Sequence, residues 1–346
     1  MTSAPTSHRV VTFGEIMLRL ATPGFRRFCQ TDSLEMSFGG GEANVACSLA
    51  QWGVNAAFVT KLPTNDLAEA AIQRLRGIGV DTSHILRGGN RIGIYFLETG
   101  AAQRASNVIY DRASSAIATA RPQEFDWPSI FRGANWFHIT GITPALSESA
   151  AEASIAAVKS AKHAGLQVSC DLNFRKKLWS SEQAGRTMAI LAEHVDYCIA
   201  NEEDAEKVFG IRATGADVAG GKIDHAKYEA VAQQLTERFG FAGVAITLRE
   251  SHSASHNGWS GMFYRDGAAY FSRHYEMQIV DRVGGGDAFA AGCIYALLNE
   301  QSPQQVVEFA AAASCLKHSI PGDFNFVSLN EVQALVGGDA SGRVQR

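Results

Sequence analysis

With 346 residues, 46% of them hydrophobic, the chain can bury a sizeable core as one large α/β domain or two small ones. A formal net charge of −4 gives no global attraction to nucleic acid or to an anionic membrane, while leaving room for a local basic pocket that takes an anionic small molecule. No stretch reaches the roughly 20 apolar residues of a membrane span, residues 1–8 lack the apolar core of a secretion signal, and the cysteines are scattered without a Cys-x-x-Cys pair, so a cytoplasmic protein with buried thiols is expected.

Residues 10–13 read as a buried central strand that runs into Gly14-Glu15. Residues 16–20, 33–38, 91–98 and 107–110 alternate apolar with polar or small side chains, as strands with one open face do. Between them fall a helix over 41–53, with Ala43, Ala46, Leu49 and Ala50 on one face, and a strand over 56–60. The open strands therefore interrupt an α/β succession. They are expected to form a small separate sheet, inserted at about 16–38 and 91–112, that stands over a cleft as a lid. From Asn135 onward, strands at 136–139, 167–171, 197–200 and 243–248 alternate with helices at 147–164, 181–194, 202–209 and 226–239. That order predicts a doubly wound, mainly parallel sheet flanked by helices, in a single α/β domain over 9–336. Residues 211–222 and 250–258 read as loops, and 261–275 as a hairpin turning at Arg265-Asp266-Gly267. Helices at 287–299, 303–318 and 329–336 close the fold, ahead of a tail at 337–346 expected to be disordered.

Three glycines, Gly284, Gly285 and Gly286, run into Asp287 and an apolar helix. Without Cβ atoms, successive N–H groups can point at one anion, and the helix start adds its positive end. A carboxylate beside phosphate is repelled by it unless a metal ion shares the charge or a proton has to be removed. A base next to an anion hole suggests phosphoryl transfer, and a glycine turn with an aspartate cap is the plainer alternative. Two other phosphate motifs fail: Phe289 stands where a dinucleotide fingerprint needs glycine, and Gly221-Lys222 is followed by Ile223 rather than Ser or Thr.

Asn201-Glu202-Glu203-Asp204 could hold hydrated Mg²⁺ through its waters, or cap a helix. Arg175 at a strand end and Arg112 in the lid are suited to fork onto a carboxylate, or are solvated surface residues. His252 and His256 lie four apart in a Ser-rich loop with no carboxylate or cysteine at zinc spacing, which argues against a metal site there.

Gly39-Gly40-Gly41-Glu42-Ala43-Asn44 and Asp281-Arg282-Val283-Gly284-Gly285-Gly286-Asp287 resemble the two signatures of the PfkB, or ribokinase-like, carbohydrate kinases. The resemblance covers nearly the whole chain, including the order of elements, the lid strands and the Asn-x-x-acid motif at Asn201 and Asp204. It implies Asp287 as catalytic base, the N–H groups of Gly284 to Gly286 as anion hole, and Asn44 against the sugar. It also implies ATP contacts at Asn173, Arg175, Asn201, Thr247, Arg249, Gly284 and Gly286, Mg²⁺ held through water by Asn201 and Asp204, and a monovalent cation, often K⁺, near Asp281. Tyr110-Asp111-Arg112, Asp171-Leu172-Asn173-Phe174-Arg175 and the run from Lys317 to Asn325 are similar to the family's 2-keto-3-deoxygluconate kinases. By that similarity Gly40, Gly41, Asn44, Tyr95, Arg112, Arg175 and Asp323 would contact an acid sugar, phosphorylated at O6 to 2-keto-3-deoxy-6-phosphogluconate. The carboxylate of such a sugar would account for the two arginines. The alternatives are a kinase for a neutral sugar or nucleoside, and a non-catalytic sugar- or nucleotide-binding regulator. Arg282 and Gly285 depart from the commonest family pattern, as does Asp204 in place of Glu, and Arg282 has no assigned role. An open-faced lid sheet together with the resemblance suggests a homodimer or higher oligomer.

Overall fold

A computed structural model of the chain describes residues 8–201, 203–212 and 224–339. Most of the expected loop at 211–222 and of the tail at 337–346 lies outside those residues, as does Glu202. The chain opens on β1 (Arg9–Phe13), apolar on both faces and buried beyond Arg9, as suits a strand covered on both sides. It leaves the main sheet for β2 (Met17–Ala21) and β3 (Glu35–Gly39), and returns through helix α1 (Gly41–Gln51) to β4 (Asn55–Val59). A short β5 (Lys61–Leu62), helix α2 (Asp66–Ile78) and a short β6 (Leu86–Arg87) precede a second excursion, β7 (Gly93–Glu98) and β8 (Asn107–Asp111). The sequence reading contains no counterpart of α2, although Asn65 caps it by accepting from the Ala68 N–H and Gly79 ends it in the left-handed region.

After the short α3 (Trp127–Ile130) come β9 (Trp136–Thr140), α4 (Glu148–His163), β10 (Gln167–Asp171), α5 (Ser181–Ala192), β11 (Tyr197–Ala200), α6 (Asp204–Phe209), α7 (His225–Phe239) and β12 (Gly243–Ser251). The chain then turns back through β13 (His256–Arg265), β14 (Ala268–Phe271) and β15 (Tyr275–Gln278), and ends with α8 (Gly285–Leu298), α9 (Pro303–Lys317) and α10 (Leu329–Val336). Residues 250–258, expected to be a loop, belong instead to the hairpin of β12 and β13, in which Ser251 pairs with Asn257. At that solvated sheet edge both faces carry Ser, His and Glu, so strand alternation does not show in the sequence.

The main sheet has the order β14-β13-β12-β11-β10-β9-β1-β4, with β15 also paired to β13. The strands from β4 to β12 run parallel, and β13, β14 and β15 are antiparallel additions. Successive side chains of β1 point to opposite cores: Val10 packs with residues of α1, α8 and α9, whereas Val11 and Phe13 pack with residues of α4, α5 and α7. From β1 the chain winds one way to β4 and later the other way from β9 to β12, and a crevice opens outside the carboxyl ends of the strands where that order reverses. The four interrupting strands form a sheet of their own, β3-β2-β7-β8. Among the described residues no helix is long and apolar enough to cross a membrane. Cys47, Cys170, Cys198 and Cys293 are buried free thiols, while Cys29 is exposed.

Candidate active site

Gly284 caps α8 with φ +85, a backbone conformation that favours glycine, and a Cβ there would lie 2.2 Å from the Asp323 carbonyl oxygen. The amides of the first turn have no intrahelical acceptors and sit at the positive end of a helix that is apolar and buried on almost every side. Gly284, Gly286 and Asp287 line a cleft of about 410 Å³. Gly285 does not, because its α-carbon faces the His318 ring. Of the residues to which the resemblance gives a catalytic, sugar, ATP or metal role, Gly285 and Asp281 alone are absent from the cleft wall.

Asn44, on the first turn of α1, donates to Asp287 Oδ2 at 2.6 Å, so the two glycine motifs meet although 243 residues separate them. Burial pushes the Asp287 carboxyl up to about 6, and the Asn44 hydrogen bond works against that rise by favouring the ionised form. A carboxylate poised near neutrality is suited to removing a proton from a hydroxyl. Asn44 is itself oriented by the Gly40 N–H, 3.2 Å from its Oδ1. The buried Glu42 carboxyl ties α1 to the end of β9 by accepting from Thr140 N (2.9 Å), Thr140 Oγ1 (2.9 Å) and Thr143 Oγ1 (2.7 Å). Burial raises Glu42 to about 7, with those hydrogen bonds opposing.

At the carboxyl ends of β10 and β11, Asn201 Oδ1 accepts from the N–H groups of Glu203 (2.8 Å) and Asp204 (3.1 Å). Asp204 in turn accepts from Asn201 N and Phe174 N, both at 3.1 Å. The capping reading of this motif is therefore realised, and the cap also joins two strand ends. Asp204 lines the cleft with Asp171, whose pKa is pushed up by burial and then by the charges of Asp204 and Asp287. Hard carboxylate oxygens that repel one another across one cleft form a donor set that fits Mg²⁺. Asp171 belongs to that set, and its place at the end of a strand was the clue the sequence offered.

Arg112, expected to fork onto a ligand carboxylate, lines the cleft and is also paired within the protein. Its Nε (2.8 Å) and Nη2 both donate to Glu15 Oε2, and Ser115 Oγ donates to Glu15 Oε1 at 2.7 Å. Its charge is thereby balanced by a buried carboxylate, and its guanidinium carbon lies 5.3 Å from the centre of the Tyr110 ring. Arg175 remains exposed on the cleft, and its charge draws down the pKa values of both Asp171 and Asp287. The cleft wall also carries Thr247, Arg249, Asn257, Trp259 and Arg282. Arg282 donates to the Ala254 carbonyl (3.2 Å), and its pKa is lowered by burial and by the neighbouring Arg249, a pair of like charges that an anion between them would relieve.

Arg19 of β2 was not singled out in the sequence. It is buried, and it donates to Asp281 Oδ2 (2.5 Å) and Asp323 Oδ1 (2.9 Å), while the Tyr95 hydroxyl donates to the same Asp323 oxygen at 2.6 Å. These bonds clamp the small sheet onto the loops before α8 and α10. They also mean that Asp281 does not fit a monovalent cation: Oδ2 is further held by Gly322 N (3.0 Å) and Oδ1 by Val283 N (3.0 Å). A second resident cation lies alongside, the fully buried Lys317. Its Cε is 3.2 Å from where a Gly284 Cβ would stand, and its Nζ donates to the Ile320 carbonyl at 3.1 Å. Burial lowers its pKa, with Asp281 and Asp323 opposing. Turnover is therefore expected to be equal in K⁺, Na⁺ and tetramethylammonium salts at matched ionic strength. Activation by K⁺ of roughly tenfold or more would contradict this reading of Arg19 and Lys317.

A doubly wound α/β fold, an anion hole at a helix start, a poised carboxylate beside it and a small covering sheet together define a phosphotransferase. The chain belongs to the pfkB family of carbohydrate kinases, whose profile matches residues 7–325. It is 34% identical over 332 residues to a 2-dehydro-3-deoxygalactonokinase of Haloferax volcanii, covering 96% of this chain and 98% of that protein. A 2-dehydro-3-deoxygluconokinase of Bacillus subtilis is 27% identical, with 93% of each chain covered. The solved structure of a 2-dehydro-3-deoxygluconokinase from Thermotoga maritima is 52% identical and superposes with a TM-score of 0.92 over 96% of this chain and 98% of that one.

Proposed function

We propose that the protein transfers the γ-phosphoryl group of MgATP to O6 of 2-keto-3-deoxy-D-gluconate, giving 2-keto-3-deoxy-6-phosphogluconate and ADP. The observation that carries this reading is the meeting of Asp287, Asn44 and the α8 amides in a cleft that also exposes Arg175. The names of the Thermotoga and Bacillus relatives support the choice of substrate.

In this scheme the sugar lies between the first glycine motif and the small sheet, against Gly40, Gly41, Asn44 and Tyr95, with Arg175 on its carboxylate. Asp287 removes the O6 proton as that oxygen attacks the γ-phosphorus in line. The O6–P bond forms while the bond from phosphorus to the β-γ bridging oxygen breaks, and the first-turn amides of α8 stabilise the equatorial charge that develops. Asn173, Asn201, Thr247, Arg249 and Arg282, which line the cleft, would take the nucleotide. Asp171 and Asp204, with Asn201 through water, would hold Mg²⁺, which neutralises charge on the β- and γ-oxygens. Second copies of the chain would pair through the small sheet, where Met36 of β3 and Ile109 of β8 are exposed on the two edge strands.

Arg175→Ala is expected to raise KM for the sugar acid about 10- to 100-fold, the size of a lost hydrogen bond to a charged group, and to change KM for ATP far less. A rise confined to ATP would place Arg175 on the phosphate instead, and unchanged values for both would remove it from the site. A second reading, the galacto epimer as substrate, draws on the name of the Haloferax relative. The two sugars differ at one hydroxyl, and parallel kcat/KM measurements on both distinguish them.

A further inference from the structure

The hairpin that lines the cleft carries a different chemistry on its other face. Arg249 and Trp259 pair across β12 and β13 and line the cleft. The next row across the strands, Glu250, Gly258 and Glu276, points away from it, since neighbouring residues in a strand face opposite sides. At the centre of that row Gly258 leaves a hollow: a Cβ there would stand 2.5 Å from His274 Nε2 and 2.8 Å from Glu250 Oε2. Three imidazoles converge on the two carboxylates around it. His256 Nε2 is 2.9 Å from Glu276 Oε2, and His274 Nε2 is 3.2 Å from Glu250 Oε2. His252 Nε2 lies 3.9 Å from Glu250 Oε2 and 4.0 Å from Glu276 Oε2.

Donor atoms about 2.0–2.1 Å from one tetrahedral ion are separated from each other by roughly 3.3 Å. The ligand atoms of His252, His256 and Glu276 lie within 4.8 Å of one another, so an ion can be enclosed by small side-chain adjustments alone. The spacing of His252 and His256 argues against a metal site because no carboxylate or cysteine stands at zinc spacing beside them in the sequence. Strand register corrects that by bringing in Glu276 from β15 and Glu250 from β12.

We propose that this face binds one divalent transition-metal ion of the zinc type through His252, His256 and Glu276, with His274, whose Nε2 is 3.2 Å from Glu250 Oε2, standing 3.9 Å from the other Glu276 oxygen, Oε1. Two imidazoles and a carboxylate select zinc, nickel or copper over Mg²⁺, which requires six hard oxygen donors. The bound ion fastens the 252–255 turn to β15, and so braces the strands whose opposite face presents Arg249, Asn257 and Trp259 to the cleft.

The test is calorimetric titration of the full chain with Zn²⁺ while Mg²⁺ is kept in large excess to occupy the carboxylates of the cleft. One ion is expected to bind with a Kd of roughly 10 µM or lower and to raise Tm. His256→Ala and Glu276→Gln should each weaken binding about tenfold or more and abolish the Tm shift. His163→Ala, on the exposed end of α4, and Asp287→Asn should leave Zn²⁺ binding unchanged. Binding weaker than about 100 µM, parental affinity in both hairpin variants, or loss of binding in Asp287→Asn would each overturn the proposal.

Discussion

Asp287→Asn is expected to lower kcat by about 10²- to 10⁴-fold, the usual contribution of a general base, while nucleotide and sugar still bind. The amide keeps the shape of the side chain but cannot take the O6 proton. The pH dependence of the parent enzyme carries the same information. On the proposed mechanism Asp287 acts as base in its ionised form, and its carboxyl is raised to about 6, so kcat/KM should rise with pH through about 6 and level off above it. The Asn44 hydrogen bond favours the ionised form, so Asn44→Leu should move that limb to higher pH. An undiminished rate in Asp287→Asn would remove the carboxylate from the chemistry. A profile flat from pH 5 to 8 would remove it from the rate-determining proton transfer.

Arg19→Met is expected to cost about 3–5 kcal/mol of stability in urea unfolding, the penalty for leaving buried carboxylates without their partner. Asp281 and Asp323 both face Arg19 in an environment where each side chain is less than a tenth exposed. Lys317 cannot replace it, since its Nζ is held at the Ile320 carbonyl. Arg19→Lys should recover part of the loss at most, because an ammonium cannot fork to two carboxylates as a guanidinium does. The small sheet is anchored through this residue, so KM for the sugar acid should rise along with the loss of stability. A destabilisation below about 1 kcal/mol would mean that the clamp contributes little to folding.

The proposed anion hole and base were legible because their chemistry is contiguous: Gly284 to Asp287 carry the turn, the amides and the carboxylate within one helix start. The alternating strands of the small sheet were legible for a similar reason, since each displays its open face in its own sequence. What stayed hidden depends on partners distant along the chain. Arg112 reads as a free cation until Glu15, just beyond β1, is seen to neutralise it. Arg19 is one basic residue in a short apolar strand, and its acceptors stand 262 and 304 residues later. Asp281 invited a cation in the sequence, and the fold supplies two of its own. The stretch at 250–258 looked like a loop because a solvated hairpin edge lacks apolar alternation, and that misreading also concealed the glutamates beside His252 and His256. Helix α2 is different in kind: its cap at Asn65 and its end at Gly79 both stand in the sequence.

The most direct test of the functional reading is ADP release measured with MgATP against a panel of 2-keto-3-deoxygluconate, its galacto epimer, fructose and ribose. Turnover is predicted with the keto-deoxy sugar acids, with the product phosphate on O6 by phosphorus–proton correlation, and kcat/KM for fructose and ribose lower by about 10²-fold or more, the loss expected when Arg175 has no carboxylate to bind. Turnover of fructose or ribose with none of either sugar acid would contradict the account.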